Sequence, residues 1–430
     1  MSSLNRRQFI ELMGASMALA ALSGCAPIKA EKIMPTVLGQ ADPASIETYT
    51  TALDFMGVMI PAVGRCIAGR PVKLDGHPTH RQTRGRSDVT LQAALLSLYD
   101  PDRSREVRDR NASGTWEGFT QMLDHEIRPS TRLRLLTGPL SSPTLLGQIR
   151  SLQARYRNFV WHTWDPASSA VLEAAQQAFG RPLVPHYRFD QADVTVSLDA
   201  DFLGTGPTRI GYAADFSETR RYRRDRTRLS RLYSYQRVPS LTSANADRQS
   251  PANLPQLYQA LVGGEIEKRL STGPSLVVVA DDLPAWMHAY AWGLNHRHGN
   301  VGRTVTFHPP ATARGADIES LVAAMTAGEV DILVMLDVNP VWTSPGFQAS
   351  LHHVPVTVHH GAYVDETAVE CTFHVNSTHD LEAWRDGRAV DGSRLVAQPL
   401  IEPLFGGKTA IQLLAALLGD GTTSAYDLLR

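Results

Sequence analysis

Five consecutive apolar residues stand in Asp331-Ile332-Leu333-Val334-Met335-Leu336, the stretch that decides the fold class. A strand with one solvated face alternates apolar and polar residues, whereas a strand covered on both faces is apolar throughout. The run is too short for a membrane span of about 20 residues, and a helical pattern from Asp317 to Ala327 precedes it. It therefore predicts a buried strand of a parallel sheet.

The same succession of apolar strand and helix recurs along the chain. Strands are also predicted at Leu133–Leu136, Asn158–His162, Val194–Leu198 and Ser275–Ala280, and helices at Thr144–Tyr156 and Ser168–Phe179. Strands that alternate with helices are typical of βαβ units. The sequence thus predicts an α/β fold with doubly wound parallel sheets, whose ligand crevices, if any, lie at the carboxyl ends of strands.

The predicted organisation has five consecutive parts. Residues 1–25 form a leader, 26–47 an extended linker, 48–130 an N-terminal segment, 131–260 a first α/β region and 261–430 a second α/β region. The segment Arg209–Pro255 is rich in Arg, Tyr, Ser and Asn and interrupts the pattern. We interpret this segment as a long connection over the surface.

The composition limits the classes of partner. The chain has 430 residues and is 43% hydrophobic, which suffices for roughly two or three domains. Its 42 basic and 43 acidic residues nearly cancel, so the whole molecule has no field that attracts nucleic acid. No nucleic-acid partner is expected.

The N-terminus has the pattern of an export signal. Arg6 and Arg7 are followed by Phe9 and by an apolar run from Leu12 to Leu22. This run is too short to cross about 30 Å of hydrocarbon, and adjacent arginines before it are typical of the twin-arginine pathway. An ordinary first helix is the alternative. The pattern predicts export to the periplasmic side of the inner membrane.

The three cysteines are interpreted separately. Leu22-Ser23-Gly24-Cys25 resembles a lipoprotein box, in which Cys25 would be acylated, although one acyl chain anchors only weakly. Cys66 and Cys371 remain, whereas an iron–sulfur cluster uses four ligands. No cluster is expected on this chain. A disulfide between Cys66 and Cys371 stays open, with two unpaired thiols as the preferred state.

A series of short motifs resembles one known family. In chain order the motifs are Glu31–Pro35, Gly69–Pro78, Leu98–Ser104, Asp199–Gly204, Leu229–Tyr233, Ala244–Asp247, Val338–Trp342, Leu381–Trp384 and Gln398–Lys408. Together they resemble the molybdopterin-oxidoreductase-like half of the B subunit of alternative complex III. The resemblance covers nearly the whole chain.

The resemblance implies a membrane-associated complex that oxidises quinol and passes electrons toward a cytochrome or a terminal oxidase. The implied partners are an iron–sulfur subunit, polytopic quinol-binding membrane subunits and cytochrome c-type subunits. In the family the B subunit continues into a ferredoxin-like half with several iron–sulfur clusters, whereas this chain stops at Arg430 before any such motif. We therefore expect the clusters on a partner subunit, unless this product is truncated.

The loop Asn339-Pro340 resembles the one that cradles a cofactor nucleotide in active relatives. Asp337 follows Leu336 at a position where close approach of a ligand to the backbone would favour glycine, and its charge would repel a diphosphate. We interpret the loop as a structural relic and expect no molybdopterin on this chain. Cys66 is expected to be a small buried residue in a strand and not a metal ligand.

Gly406-Gly407-Lys408-Thr409 resembles the end of a phosphate-binding loop. Glu402 stands where the first glycine of that motif is required. We therefore interpret the segment as a turn that caps a helix over Thr409–Leu418.

Histidines cluster in the second α/β region, together with Asp365, Glu366, Glu370 and Asp380. The histidines are His352, His353, His359, His360, His374 and His379. A metal site is one interpretation, but no pair has the spacing of a helical zinc site. We expect histidines at loop edges with polar partners.

The segment from Arg220 to Arg231 has the highest density of positive charge. It includes Arg220, Arg221, Arg223 and Arg224. An acidic subunit or lipid headgroups could dock there. A solvated face that internal carboxylates neutralise is the alternative.

Three functional hypotheses follow. The preferred one is a non-catalytic scaffold subunit that docks to an iron–sulfur subunit. The second is a molybdopterin-dependent periplasmic oxidoreductase, and the third is a solute-binding lipoprotein with two α/β lobes.

Overall fold

The computed structural model describes residues 46–110, 112–166, 170–222, 229–270 and 273–430. The leader residues Arg6, Arg7, Phe9 and Cys25 lie outside these ranges, as do Arg223 and Arg224 of the predicted docking patch. Export, lipidation and that part of the patch therefore stay predictions.

The strands of the described ranges are β1 (Ile46–Phe55), β2 (Val58–Ile67), β3 (Arg70–Gly76), β4 (Val107–Asp109), β5 (Ala112–Gly114), β6 (Leu133–Thr137), β7 (Val160–Thr163), β8 (Val184–Tyr187), β9 (Val194–Leu198), β10 (Arg231–Gln236), β11 (Arg248–Pro251), β12 (Ser275–Val279), β13 (Val305–His308), β14 (Ile332–Leu336), β15 (Val356–Gly361), β16 (Phe373–Asn376), β17 (Arg385–Arg388) and β18 (Arg394–Ala397).

The α-helices of the same ranges are α1 (Val89–Leu98), α2 (Trp116–Glu126), α3 (Pro143–Arg155), α4 (Ala170–Phe179), α5 (Arg209–Thr219), α6 (Leu241–Ala244), α7 (Leu254–Val262), α8 (Glu265–Arg269), α9 (Ala285–Arg297), α10 (Ile318–Thr326), α11 (Pro340–Thr343), α12 (Phe347–Leu351), α13 (Glu366–Glu370), α14 (Ala410–Leu417) and α15 (Ala425–Leu429). The strands and helices that we predicted from apolar runs are present, and their ends differ from the predicted ones by at most two residues.

A small antiparallel sheet with the order β1-β2-β3 comes first in the chain. Helix α1 lies on one of its faces and buries Leu91 and Leu98 there. Cys66 lies in the same core, so its predicted place in a buried strand is confirmed.

The largest sheet has the order β5-β4-β16-β15-β14-β6-β7, and its strands from β16 to β7 are parallel. Neighbouring residues of β14 belong to opposite cores. Val334 packs in a core with residues of α2, α3 and α14, whereas Met335 packs in one with residues of α10 and α12. Cover on both faces is the physical reason why this strand is apolar throughout.

A second parallel sheet has the order β11-β10-β9-β12. Residues of α7, α8 and α9 cover one face and residues of α5 the other. A side chain binds the backbone of the edge strand β12. The side-chain amide of Asn295 accepts from the N–H of Val277 and donates to the carbonyl of Val277, both at 3.0 Å. The exposed edge that would invite another strand is thereby satisfied internally.

The prediction that Arg209–Pro255 is a connection over the surface is wrong. The segment contains α5, β10, α6 and β11, and β10 pairs with β9 inside the second sheet. Strand β10 escaped notice because it buries polar residues, Ser234 and Gln236, beside apolar ones. Hydrophobic patterning does not identify such a strand.

The two parallel sheets are not consecutive in sequence. The seven-stranded sheet uses residues 107–163 and 332–376, and the four-stranded sheet uses 194–279 between them. The division that we predicted at residues 260 and 261 therefore does not separate the sheets. In the described ranges, no helix has the length and apolar character to cross a membrane.

Candidate functional site

The carboxyl ends of the two central strands share an uncommon backbone conformation. Asp337 follows β14 with φ of 51°, and Asp199 follows β9 with φ of 59°. Both angles lie in the left-handed region, which glycine adopts freely and other residues rarely occupy. Met56, Ala68 and Arg110 adopt similar angles after antiparallel strands, whereas Asp337 and Asp199 follow parallel strands, where ligand crevices form, so these two positions are the candidate site.

A buried histidine holds Asp337. Oδ1 of Asp337 lies 3.4 Å from Nδ1 of His360. Nε2 of His360 lies 2.8 Å from the carbonyl oxygen of Lys408, and because a carbonyl only accepts, this nitrogen carries a proton. Desolvation opposes both charges, but the two groups attract each other, so the pKa of His360 is raised and the pKa of Asp337 is lowered. Each group thus favours the charged form of the other.

Two further carboxylates lie near Asp337. The N–H of Asp54 donates to Oδ2 of Asp380 at 2.8 Å, and Nη1 of Arg385 lies 2.9 Å from Oδ1 of Asp380. Asp54 reaches solvent, yet desolvation by the surrounding protein and the negative charge of Asp380 raise its pKa to about 7. The end of β14 thus gathers three carboxylates, with Arg385 and His360 as their counterions.

The loop after Asp337 is closed by its own hydrogen bonds. Nδ2 of Asn339 donates to Glu366 at 2.6 Å, and Oδ1 of Asn339 accepts from the hydroxyl of Thr367 at 2.7 Å. Pro340 is the first residue of α11. Both polar side-chain atoms of Asn339 are therefore engaged within the chain.

The end of β9 is neutralised by an arginine instead. Oδ1 of Asp199 accepts from the backbone N–H of Arg237 at 2.7 Å, and its other oxygen pairs with the guanidinium of Arg237. The same guanidinium also pairs with Asp282. Because arginine is always protonated, this charge balance does not depend on pH in the physiological range.

Two of the clustered histidines form a buried hydrogen-bonded chain. Nδ1 of His359 lies 3.0 Å from Nδ1 of His374, whose Nε2 lies 2.8 Å from the hydroxyl of Ser104. Nε2 of His359 lies 3.5 Å from a carboxylate oxygen of Asp365. These contacts join Asp365, His359, His374 and Ser104 into one chain of polar side chains.

The prediction of histidines at loop edges is wrong for His359, His360 and His374, which are buried on β15 and β16. It is confirmed for His352, which follows α12 and lies 2.9 Å from a carboxylate oxygen of Glu370. Burial and the neighbouring His359 lower the pKa of His374 to about 3. A base this weak does not take up a proton near neutral pH. The chain links the neighbouring strands β15 and β16 through their side chains. Among the described residues, no group of three or more His, Cys, Asp and Glu is arranged to hold a metal ion.

Cys66 and Cys371 are free thiols in separate cores. Burial raises the pKa of each to about 12, so both stay protonated and unreactive. The preferred state of two unpaired thiols is confirmed.

The segment before α14 is a helix cap. The side chain of Thr409 accepts from the N–H of Gln412 at 3.1 Å. A Cβ atom on Gly407 would lie 2.6 Å from the carbonyl oxygen of Ser377, so this glycine permits a close backbone approach. The interpretation as a turn before a helix is confirmed.

The described part of the docking patch is partly neutralised. Nη1 and Nη2 of Arg220 lie 2.7 and 3.0 Å from the two carboxylate oxygens of Asp247. Arg221 lies 3.4 Å from Glu218 and is more exposed. The positive charge that this part of the patch offers to a partner is therefore mainly that of Arg221.

Sequence reasoning identified Asp337 because it follows the apolar run directly. It missed Asp54, near the end of β1, and Arg385, the first residue of β17, and it named Asp380 only as a neighbour of the clustered histidines. No local pattern marks these residues, because distant segments bring them together.

Comparison with known proteins shows likeness in structure only. No family model matches the chain, and no curated protein matches it in sequence. The chain is similar in structure to acetylene hydratase from Pelobacter acetylenicus, with a TM-score of 0.62 and 12% identity, over 86% of this chain and 69% of that chain. The likeness confirms the predicted fold class, a molybdopterin-oxidoreductase-like α/β fold.

Proposed function

We propose that this chain is a scaffold subunit, without a cofactor of its own, in a membrane-associated quinol-oxidising complex of the alternative complex III type. The observation that carries the proposal is the chemistry at the end of β14. Three carboxylates gather where a nucleotide cofactor would approach a strand end in such a fold.

The residues at this strand end do not fit a molybdopterin dinucleotide. Its diphosphate would meet the carboxylate of Asp337, and two like charges 4 Å apart repel by about 4 kcal/mol at an effective dielectric constant of about 20. Asp380 adds charge of the same sign, which Arg385 balances in part. Asn339, which could otherwise donate to the ligand, already donates to Glu366. His360 offsets part of the repulsion, but its charge is already paired with Asp337.

The proposed partners are an iron–sulfur subunit, polytopic quinol-binding membrane subunits and cytochrome c-type subunits. We assign the docking of an acidic partner to the segment that contains Arg220, Arg221, Arg223 and Arg224, because opposite charge steers association. We also propose twin-arginine export and a lipid anchor at Cys25, which together place the chain on the periplasmic side of the inner membrane.

The decisive experiment is purification of the tagged chain from its native membrane in mild detergent. We expect a cysteine-rich iron–sulfur protein, polytopic subunits and haem proteins in the eluate by mass spectrometry, and no molybdenum or tungsten on the separated subunit. A solitary protein with stoichiometric molybdenum or tungsten would overturn the proposal in favour of a molybdopterin-dependent oxidoreductase.

Charge reversal tests the docking surface in the same preparation. The double variant Arg220→Glu with Arg221→Glu should lose the iron–sulfur partner, whereas the exposed control Arg181→Glu should retain it. Retention of the partner by both variants would place the interface elsewhere.

Export is tested separately from complex formation. Replacement of Arg6 and Arg7 by lysine should leave the chain in the cytoplasm, as measured by cell fractionation. An unchanged location would count against the twin-arginine route.

A further inference from the structure

The outer face of helix α1 is apolar and uncovered in the described structure. The helix contains no charged residue. Its inner residues pack on the β1-β2-β3 sheet, whereas Val89 is 80% exposed and Leu96 is 76% exposed. Val89, Ala93 and Leu96 follow each other at intervals of four and three residues and so form one stripe. A surface helix usually has polar residues on this side.

The apolar surface continues beyond the helix. Val72 on β3 is 47% exposed and Tyr99 is 40% exposed. The hydroxyl of Tyr99 donates to the carbonyl of Pro71 at 3.3 Å, which places Tyr99 beside Val72. We call the surface formed by Val72, Val89, Ala93, Leu96 and Tyr99 the α1 patch. A contiguous exposed apolar surface of this kind marks a contact site.

The chain enters the described structure near one end of the α1 patch. Ile46, the first residue of β1, pairs with Ile67, which in turn pairs with Arg70. Two strand spacings of about 4.8 Å place Ile46 roughly 10 Å from Arg70. Arg70 precedes Pro71, which Tyr99 contacts.

The sequence before this entry point contains a suitable apolar segment. Ile33-Met34-Pro35-Thr36-Val37-Leu38 lies between the charged pair Glu31-Lys32 and the polar residues that lead to Ile46. The eight residue steps from Leu38 to Ile46 span up to about 28 Å when extended, whereas a ten-residue helix is about 15 Å long. Val37 and Leu38 can therefore reach Leu96.

We propose that the segment Ile33–Leu38 binds the α1 patch as an intramolecular arm. The tether gives the segment an effective concentration in the mM range, which favours it over a separate partner of equal affinity. Pro35 suits an extended segment that lies along a helix without joining a strand ladder. The inference does not depend on membership of a respiratory complex.

Cross-linking in the full-length chain tests the arm. Val37→Cys is combined with Leu96→Cys, and the matched control combines Val37→Cys with Val238→Cys, a site of similar exposure, 68%, in the loop that follows β10. After treatment with a short bis-maleimide, peptide mass spectrometry should show at least tenfold more intramolecular link between residues 37 and 96 than between 37 and 238. Equal yields, or a link between residues 37 and 96 of different molecules only, would overturn the proposal.

Amide hydrogen exchange provides a second measurement that needs no cysteine. Replacement of Ile33–Leu38 by a glycine-serine segment of equal length should speed exchange in α1 several-fold and leave α7 unchanged. Unchanged exchange in α1 would show that the arm does not cover the patch. If Leu96→Asp abolished binding to anionic lipid vesicles while no 37–96 link formed, the occupant would be a membrane surface and not the arm.

Discussion

Asp337 and Asp199 follow the central strands of the two parallel sheets with similar backbone angles, φ of 51° and 59°, yet different groups balance their charges. Asp337 faces the imidazole of His360 and has Asp54 nearby, whereas Asp199 faces the guanidinium of Arg237. The position at a strand end thus accompanies the left-handed backbone conformation, whereas the neighbouring side chains determine how the charge of each aspartate is balanced. Only the first strand end is balanced by a group that titrates near neutral pH.

The largest expected effect concerns the buried ion pair that supports the segment around Asp380. Arg103 binds Glu382 with two bonds, 2.9 and 2.7 Å, and both side chains are 1% exposed. Arg103→Met should lower the free energy of unfolding by roughly 3–5 kcal/mol, because it leaves a buried carboxylate without its partner. Urea unfolding measures the loss.

The matched change at the second strand end is Arg237→Met. Arg237 is 35% exposed, so its pairs are screened by solvent and their loss should cost about 1 kcal/mol. If Arg103→Met and Arg237→Met lowered the free energy of unfolding equally, burial of the ion pair would not explain its contribution to stability.

The second effect is a dependence of stability on pH. His374, His359 and His288 are buried, and burial lowers the pKa of each, to about 3 for His374 and to about 4 for His288. Below the unfolded value of about 6.5, the unfolded chain binds protons that the folded chain excludes, so stability falls as the pH falls from about 6.5 toward 4. His374 and His288 each contribute up to about 3 kcal/mol to this loss, and His359 contributes in the same direction.

Replacement of these histidines separates the two sheets. The double variant His359→Gln with His374→Gln, in the seven-stranded sheet, should flatten the pH dependence of unfolding more than His288→Gln on α9. The same slope in the wild type and in the double variant would mean that these two histidines do not control acid stability.

The third effect is the titration of His360. Asp337→Asn keeps a residue type that tolerates the left-handed region and removes the charge. The pKa of His360 should then fall below its ordinary value, because desolvation remains while the raising effect of Asp337 is lost. NMR titration of the imidazole resonances measures this. Asp199→Asn is the control and should leave every histidine titration unchanged, since Arg237 does not titrate in this range.

The smallest effect is expected for Asp54→Asn. The raised pKa of about 7 means that folded Asp54 holds a proton that the unfolded carboxyl has already released between about pH 4 and pH 7. Stability is therefore lost as the pH rises through 7, and the asparagine variant should be more stable than the wild type at pH 8. The gain should stay under about 1 kcal/mol because the residue reaches solvent.

Thermal unfolding at pH 5 and pH 8 measures this difference. Asp281→Asn after β12 should behave in the same direction, because desolvation by the surrounding protein and the charge of Asp282 raise the pKa of Asp281, which also reaches solvent. A gain at pH 5 that equals the gain at pH 8 would show that titration of Asp54 is not its cause.

The strands that could be predicted share one property. In β9, β12 and β14, helices cover both faces and every residue is buried, so apolar residues outnumber the few small polar ones, Thr195, Ser197 and Ser275, and the pattern is visible in a single sequence. Strand β10 could not be predicted, because it buries Ser234 and Gln236 as well as apolar residues. The histidines on β15 and β16 were predicted at loop edges for the same reason, because a polar residue next to an apolar run resembles the end of a strand.

The sequence by itself determined the fold class and the position of Asp337, because both depend on neighbours along the chain. Tertiary structure alone decided that strands from residues 107–163 and 332–376 form one sheet, although the strands of the other parallel sheet lie between them in the sequence. It also decided that Asp337 lies beside His360 and interacts electrostatically with Asp54 and Arg385. Hydrophobic patterning records how deeply a segment is buried, whereas the identity of its neighbours depends on contacts between residues that are far apart in the chain.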